Sequence, residues 1–338
     1  MALEASAFLT LNPAYHEPEF LVQINQSSAF IDLLEGETLR NRLATDDLLV
    51  YMKTLNMRGK IAAGSSAFNE LPGADLSMNM ISAPTYLLRT RAEWDHHDVA
   101  AGGRWGLAVP EGYRLALRQT NYQLCRDFAL YGGKPQYGEG IVNAPGATAI
   151  NLPPDSGGHT TASTYDNGEM AFFLMQLILG LKTRTYQLGL GKKFSIVGPQ
   201  RILGLFEYNV VQVTQFQRPG AGTASTKETF EAVLQANGDR ITWGYDDTLQ
   251  GQGAGGTDLV IVDMAGVDQP STGGINTNVF AGITPGTGVC VTQYCDKAAP
   301  TEIISPLPAG ATDMVTEWRI SPGWAPRPQA VTLLSIAP

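Results

Sequence analysis

Charge is what this sequence has least of. Asp, Glu, Lys and Arg make up 16% of its 338 residues, against about 25% in an average soluble domain. A chain with so little charge to cover its surface is either a loop-rich extracellular protein or one that buries much of that surface against other subunits. Basic residues are the scarcer sign: 23 Lys and Arg against 32 Asp and Glu leave a net charge of −9. That balance disfavours tight nucleic-acid binding, which needs clustered cations on phosphates, so a DNA partner would be a neighbour and not a ligand.

Cysteine is nearly absent. Three in a chain of this length make no disulfide framework and suit a reducing compartment. Long apolar runs are lacking as well: none reaches the roughly 18 residues needed to cross a bilayer, so no membrane partner is expected. The opening MALEASAFLTLNPAYHEPEF has neither the basic start nor the long apolar core of a signal peptide. No internal repeat of fixed period is visible.

Glycine, by contrast, is abundant at 37 residues, and the length suffices for two domains, since single cores tend to split beyond about 250 to 300 residues. The chain is organised around Pro110 to Tyr131. Pro110 suits a first helical turn, Glu111 sits at the positive end of the helix dipole, and Gly132-Gly133 supplies the stop. Tyr113, Leu117, Leu124, Phe128 and Tyr131 recur at helical spacing, with Arg114, Arg118, Gln119 and Arg126 elsewhere on the cylinder. Such a helix spans roughly 33 Å, so a sheet or a second helix is expected along it.

Around this helix the spacing predicts an extended arm over residues 1–29 and short amphipathic helices over 30–43 and from Thr45-Asp46-Asp47 through Leu48, Leu49, Met52 and Leu55. A two-limbed extended excursion runs from about Met57 to Trp94 with a turn at GSSAFNELPGAD, and DHHDVAAGGRWG leads into the long helix. Gly138 to Ala162 reads as loops with short strands. Asp166 and Glu169 form a capping box before MAFFLMQLILGL, a buried core helix apolar nearly all round. Residues 190–305 read as a mixed α/β unit of their own: strands FSIVGP, RITWGY, DLVIVDM and Gly288 to Cys295, and helices PQRILGLFEY and the one capped by Ser225 and Glu228. After Pro306 and Pro308, MVTEWRI and AVTLLSI are two strands expected to pair beside the long helix.

None of the chemistry-bearing segments converges on an active site. Asp155-Ser156-Gly157-Gly158 has the letters of a serine-protease nucleophile segment, but none of His16, His96, His97 and His159 lies in that family's context, and Pro154 stands where glycine should. Gly251, Gly253 and Gly256 match a dinucleotide fingerprint but precede a strand and do not follow one. Asp95-His96-His97-Asp98 has metal-ligand types in an extended stretch that would split them to opposite sides, and Cys290 and Cys295 lack a second pair. No residue is assigned a catalytic, cofactor-binding or metal-binding role, and no cofactor is expected.

The order of parts (arm, extended excursion, long helix, α/β insertion, return strands) resembles the major capsid proteins of tailed double-stranded DNA bacteriophages. The match in letters is W-D-x-x-D-V-A-A-G-G-R-W-G from Trp94, then P-E-G-Y-R-L-A-L from Pro110, Tyr131-Gly132, and G-I-V-N from Gly140. The likeness covers most of the chain from about residue 80 onward. It implies the α+β tailed-phage major capsid fold: an N-terminal arm with short helices over 1–55, an extended loop over 56–104 that reaches over a neighbour, a peripheral domain with the spine helix over 105–189 and 306–338, and an axial domain over 190–305.

The implied function is structural. Hexamers and pentamers of this chain would close into the icosahedral shell of a virion, assembled in the host bacterial cytoplasm, with a scaffolding protein, a portal and a decoration protein as partners and packaged double-stranded DNA as a non-specific neighbour. With Met1 at its start, the chain is expected to keep its N-terminus and to rely on a separate scaffold. Three rivals remain open at this point: an encapsulin-like nanocompartment shell, a serine hydrolase using Ser156, and a trimeric tail or decoration protein.

Overall fold

The computed structural model describes residues 39–59, 74–185, 191–211, 224–268, 289–291 and 295–338, apart from residues 42, 105, 107, 166, 209, 265 and 326. The arm expected over 1–29, the turn GSSAFNELPGAD up to residue 73, and the Asp166 capping box lie outside the described residues. In chain order, β1 (Leu39–Asn41), β2 (Leu49–Gly59), β3 (Ala74–Pro84) and β4 (Tyr86–Trp94) precede α1 (His96–Arg104) and α2 (Val109–Leu130). Then come β5 (Thr148–Asn151), α3 (Asn167–Thr185), β6 (Lys193–Gly198), α4 (Gln200–Tyr208), the short pair β7 (Val210–Val211) and β8 (Ala224–Ser225), and α5 (Thr226–Ala236). The remainder is β9 (Arg240–Tyr245), β10 (Asp258–Met264), the pair β11 (Gly266–Asp268) and β12 (Val289–Val291), β13 (Cys295–Lys297), β14 (Thr301–Pro306), β15 (Thr312–Ile320) and β16 (Val331–Ile336).

The long helix forms as its end signals require. Proline stands in the first turn of α2, Glu111 follows it, and at the other end Tyr131 and Gly132 donate their N–H groups back to Asp127 and Phe128, with Gly132 in the left-handed region at φ 69°. Its underside rests on a five-stranded sheet in which β15 pairs with β4 along its whole length, from Thr312 opposite Trp94 to Ile320 opposite Tyr86. Because side chains alternate across a strand, the even-numbered residues of β4 and β15 face the helix. Cys125 and Ala129 of α2 pack with Cys295, Trp318 and Ile320, with Leu124 and Phe128 at the margin. Nearer the start of the helix, Leu117 packs with Ala92, Trp94 and Met314, and the Tyr113 ring stacks on Trp94 at 5.6 Å. The opposite face of β4 and β15 carries ion pairs, Arg89 with Glu317 at 3.0 Å and Arg91 with Asp313 at 2.8 Å.

A second five-stranded sheet has the order β5-β16-β10-β6-β9. All seven residues of β10 are buried, as the apolar run Leu259 to Val262 predicts for a central strand. On one side Met170, Leu174, Ile178 and Leu181 of α3, Phe206 of α4 and Phe230 of α5 close over Phe194, Ile196, Val260 and Val262. On the other side Leu130, at the end of α2, meets Ile141, Leu249, Ile261 and Val331. The last helical turn of α2 thus joins one sheet to the other. The α5 capping box is present in full: Ser225 Oγ accepts from Glu228 N–H and the Glu228 carboxylate accepts from Ser225 N–H.

Several expectations are corrected. The stretch from Leu48 through Leu55 is not a helix but strand β2, paired residue by residue with β3; Asp47 closes a turn by accepting the Ala44 N–H instead of capping a helix. Leu48, Leu49, Met52 and Leu55 fit both a helical and an alternating pattern, and a long partner strand decides between them. Within the segment 30–43, the described residues Leu39–Asn41 are a strand. DHHDVAAGG, read as a connector, is helix α1. Residues 190–305 do not form a sheet of their own, because β5 and the C-terminal strand β16 complete it; only one of the two last strands, β15, lies beside the long helix. Finally, α3 is apolar all round without being buried all round, since Phe172 and Leu179, seven residues apart and so on one face, are exposed.

Candidate assembly surfaces

Each chemistry-bearing segment is tied into local structure. Asp155 and Ser156 open a tight turn. The Asp155 N–H donates to His159 O, the His159 N–H donates to Asp155 Oδ1 at 2.7 Å, and Gly158 holds φ 85°. The His159 N–H holds the Asp155 carboxyl below its usual range. His159 Nδ1 does lie 3.4 Å from Asp155 Oδ2, but the imidazole and Ser156 are exposed to water, where such a pair is weak. His96 and His97 sit on α1 with their rings 3.9 Å apart.

The metal-type run Asp95-His96-His97-Asp98 is the start of α1, not an extended stretch. Asp95 Oδ1 accepts the Asp98 N–H at 2.8 Å and Asp98 Oδ2 accepts the Asp95 N–H at 3.1 Å, so both carboxylates cap the helix. Cys125 and Cys295 are buried, and Cys295 Sγ lies 3.3 Å from Ser321 O. Among the described residues no three His, Cys, Asp or Glu side chains are grouped to hold a metal ion, and no helix is long and apolar enough to cross a membrane.

The glycine run from Gly251 is tied down. Gly251 N–H and the Arg201 guanidinium both donate to the buried Asp258 carboxylate at the head of β10. Burial alone would raise this carboxyl, but Arg201 and Gly251 outweigh it and hold it below the usual range. A depressed folded pKa contributes stability that is present above the unfolded value of about 3.9 and is lost as pH falls through the folded value. Asp258→Asn is therefore expected to lower Tm by several degrees at neutral pH and to flatten the fall of Tm below about pH 4; calorimetry from pH 3 to 7 checks both. An unchanged acid slope would assign the acid sensitivity to other carboxylates.

What remains on the surface is apolar. β2 and β3 form a two-stranded antiparallel hairpin, with Leu49 opposite Pro84 and Gly59 opposite Ala74, and among the described strands it pairs with no other. Register puts Tyr51, Met78 and Met80 on one face, where they are 58%, 66% and 52% exposed. A lone hairpin is marginally stable in water, and this one leaves Tyr51 and Met78 exposed on one face. Leu115 on the outer side of α2, Phe172 and Leu179 on α3, and Val233 on α5 are further large exposed apolar side chains. Sequence reasoning missed the α3 pair, although a helix apolar on every side is too apolar for one buried stripe and signals a second contact.

No family model and no curated protein matches the chain. Solved structures do match it, over nearly the whole length of both partners. Against the capsid of Myoviridae phage XM1 the TM-score is 0.69 at 12% identity, covering 96% of each chain. This is the phage-capsid fold. The capsid of the native GTA particle gives 0.57 at 11% identity, covering 100% of this chain and 99% of the other, and the capsid of cyanophage P-SCSP1u gives 0.53 at 12%, covering 97% and 93%. At 11–12% identity, topology and not sequence carries the likeness.

Proposed function

We propose that this chain is the major capsid protein of a tailed bacteriophage, whose function is self-association and not catalysis. Copies form hexamers and pentamers that close into an icosahedral shell around double-stranded DNA, in a virion assembled in the bacterial host. The observation that carries this reading is the hairpin of β2 and β3 on a phage-capsid fold, which pairs with no other described strand and leaves Tyr51 and Met78 exposed. In a shell it lies over a neighbour, which removes its apolar face from water. The first sheet with α2 forms the peripheral part of each subunit. Scaffolding, portal and decoration proteins are its partners. A net charge of −9 leaves packaged DNA ungripped and free to leave.

The test is negative-stain electron microscopy with sedimentation, on the full chain expressed alone and with its candidate scaffold. Closed particles or six-membered rings are the expected result. A monodisperse monomer under every condition overturns the capsid reading, and closed particles loaded with an enzyme in place of DNA would make the shell a storage compartment.

A further inference from the structure

The outer strand of the first sheet has an open edge with its own symmetry. β14 pairs with β15 on one side, Thr301 opposite Glu317 through Pro306 opposite Thr312, and with no described strand on the other. All six of its residues are exposed. Exposed edges are normally blunted by charge, yet Ile303 and Ile304, 44% and 52% exposed, put an apolar side chain on each face at mid-strand.

The backbone phase of that edge follows from the turn beyond it. Leu307 N–H donates to Ala311 O at 2.8 Å, and hydrogen-bonded pairs alternate along an antiparallel ladder. The odd residues Thr301, Ile303 and Ser305 therefore turn their backbone groups toward β15. Glu302 and Ile304 turn theirs outward. Pro306, the next outward position, has no N–H to offer, and Pro300 stands just before the strand. The free segment is thus bracketed by prolines placed symmetrically about Ile303.

We propose that β14 pairs antiparallel with β14 of a second copy across a twofold axis through Ile303. In this register Pro300 falls opposite Pro306, so neither end demands a missing donor. Glu302 falls opposite Ile304, and each such pair exchanges both backbone hydrogen bonds. Ile303 meets Ile303 of the second copy at the narrow, non-hydrogen-bonded position, flanked by Thr301 opposite Ser305, a favourable cross-strand pair. Shifting the register by two residues toward the amino end sets Glu302 against itself; shifting it the other way sets Pro306 opposite Glu302 and loses a bond. Only the proline-centred register satisfies charge and backbone together. The contact is isologous, as a twofold requires. Its location, on the twofold axes between rings, rests on the capsid reading; the pairing itself does not.

The test uses the full-length chain carrying Ile303→Cys, oxidised with diamide and run on a non-reducing gel. At a non-hydrogen-bonded antiparallel position the Cα atoms lie about 4.5 Å apart, within disulfide reach of about 4.4–6.8 Å. The expected result is a covalent dimer well above the wild-type background, with Ile304→Cys giving far less. Adding Ile304→Pro to Ile303→Cys removes an outward N–H and no bond to β15, and should cut the dimer about tenfold at unchanged circular dichroism. Should that double variant misfold, Ile303→Cys decides alone. Wild-type particles without an Ile303→Cys dimer overturn the pairing and leave the capsid reading standing. A dimer from a chain that never forms particles supports the pairing and removes the capsid reading, and the absence of both sinks both.

Discussion

Met78→Asp combined with Met80→Asp is expected to leave the chain folded and to abolish shells. The two methionines are exposed in the single chain, so charging them costs its fold almost nothing; surface substitutions of this kind stay within about 0.5 kcal/mol. In an assembly the account differs. Burying a methionine side chain contributes about 1.5–3 kcal/mol, and a carboxylate brought into an apolar contact without a partner adds a further penalty of several kcal/mol. Every 1.4 kcal/mol is tenfold in an association constant, and in the proposed ring each subunit would both give and receive such a hairpin, so the loss would be multiplied around it. Circular dichroism and urea midpoint should match wild type while sedimentation shows only small species. Shells at wild-type yield would mean that the hairpin face is not an interface.

How much of this was legible in the sequence depends on how local the signal is. The α2 helix was readable to within a residue because Pro110, Glu111 and Gly132 mark its ends within the helix itself. The β10 strand was readable because seven apolar or paired residues in a row leave no exposed face. The α1 helix was missed because Gly102 and Gly103 in its last turn read as a break, although Asp95 and Asp98 already held the capping box. For β14 the obstacle was proline: Pro306 was read with Pro308 as a return, and it makes sense as the end of an edge strand only once β15 is seen beside it. That β16 crosses to the second sheet while β15 stays in the first is set by contacts with β10 and β4, both distant along the chain. The assembly surfaces are harder still. Tyr51 and Met78 share a face only through the register of two strands, and exposure of Phe172 is a property of the folded whole.

The junction beneath the end of α2 makes the second strong prediction, that Gly323→Ala destabilises the chain by about 3–5 kcal/mol, the range of severe backbone overpacking. Three passes of chain meet there. Gly323 N–H donates to Phe128 O at 2.9 Å, sharing that carbonyl with Gly132 N–H, and Gly140 N–H donates to Gly323 O at 2.9 Å. A Cβ on Gly323 would stand 1.8 Å from the Ala129 carbonyl oxygen and 2.6 Å from its carbon. Those are backbone atoms of a helix packed on both sheets, and no rotamer change moves them aside. To admit the methyl group, the 321–325 segment must lift off the helix, breaking both hydrogen bonds and opening the contact through which α2 joins the two cores. Gly112→Ala is the control: it lies in the first turns of the same helix, a Cβ there meets nothing within 4 Å, and the change should stabilise by about 0.5–1 kcal/mol. Urea unfolding of both variants separates the effects, because the loss of glycine's freedom in the unfolded chain moves both midpoints up, whereas the crossing moves them apart. Equal midpoints would mean that the crossing is looser than these distances require.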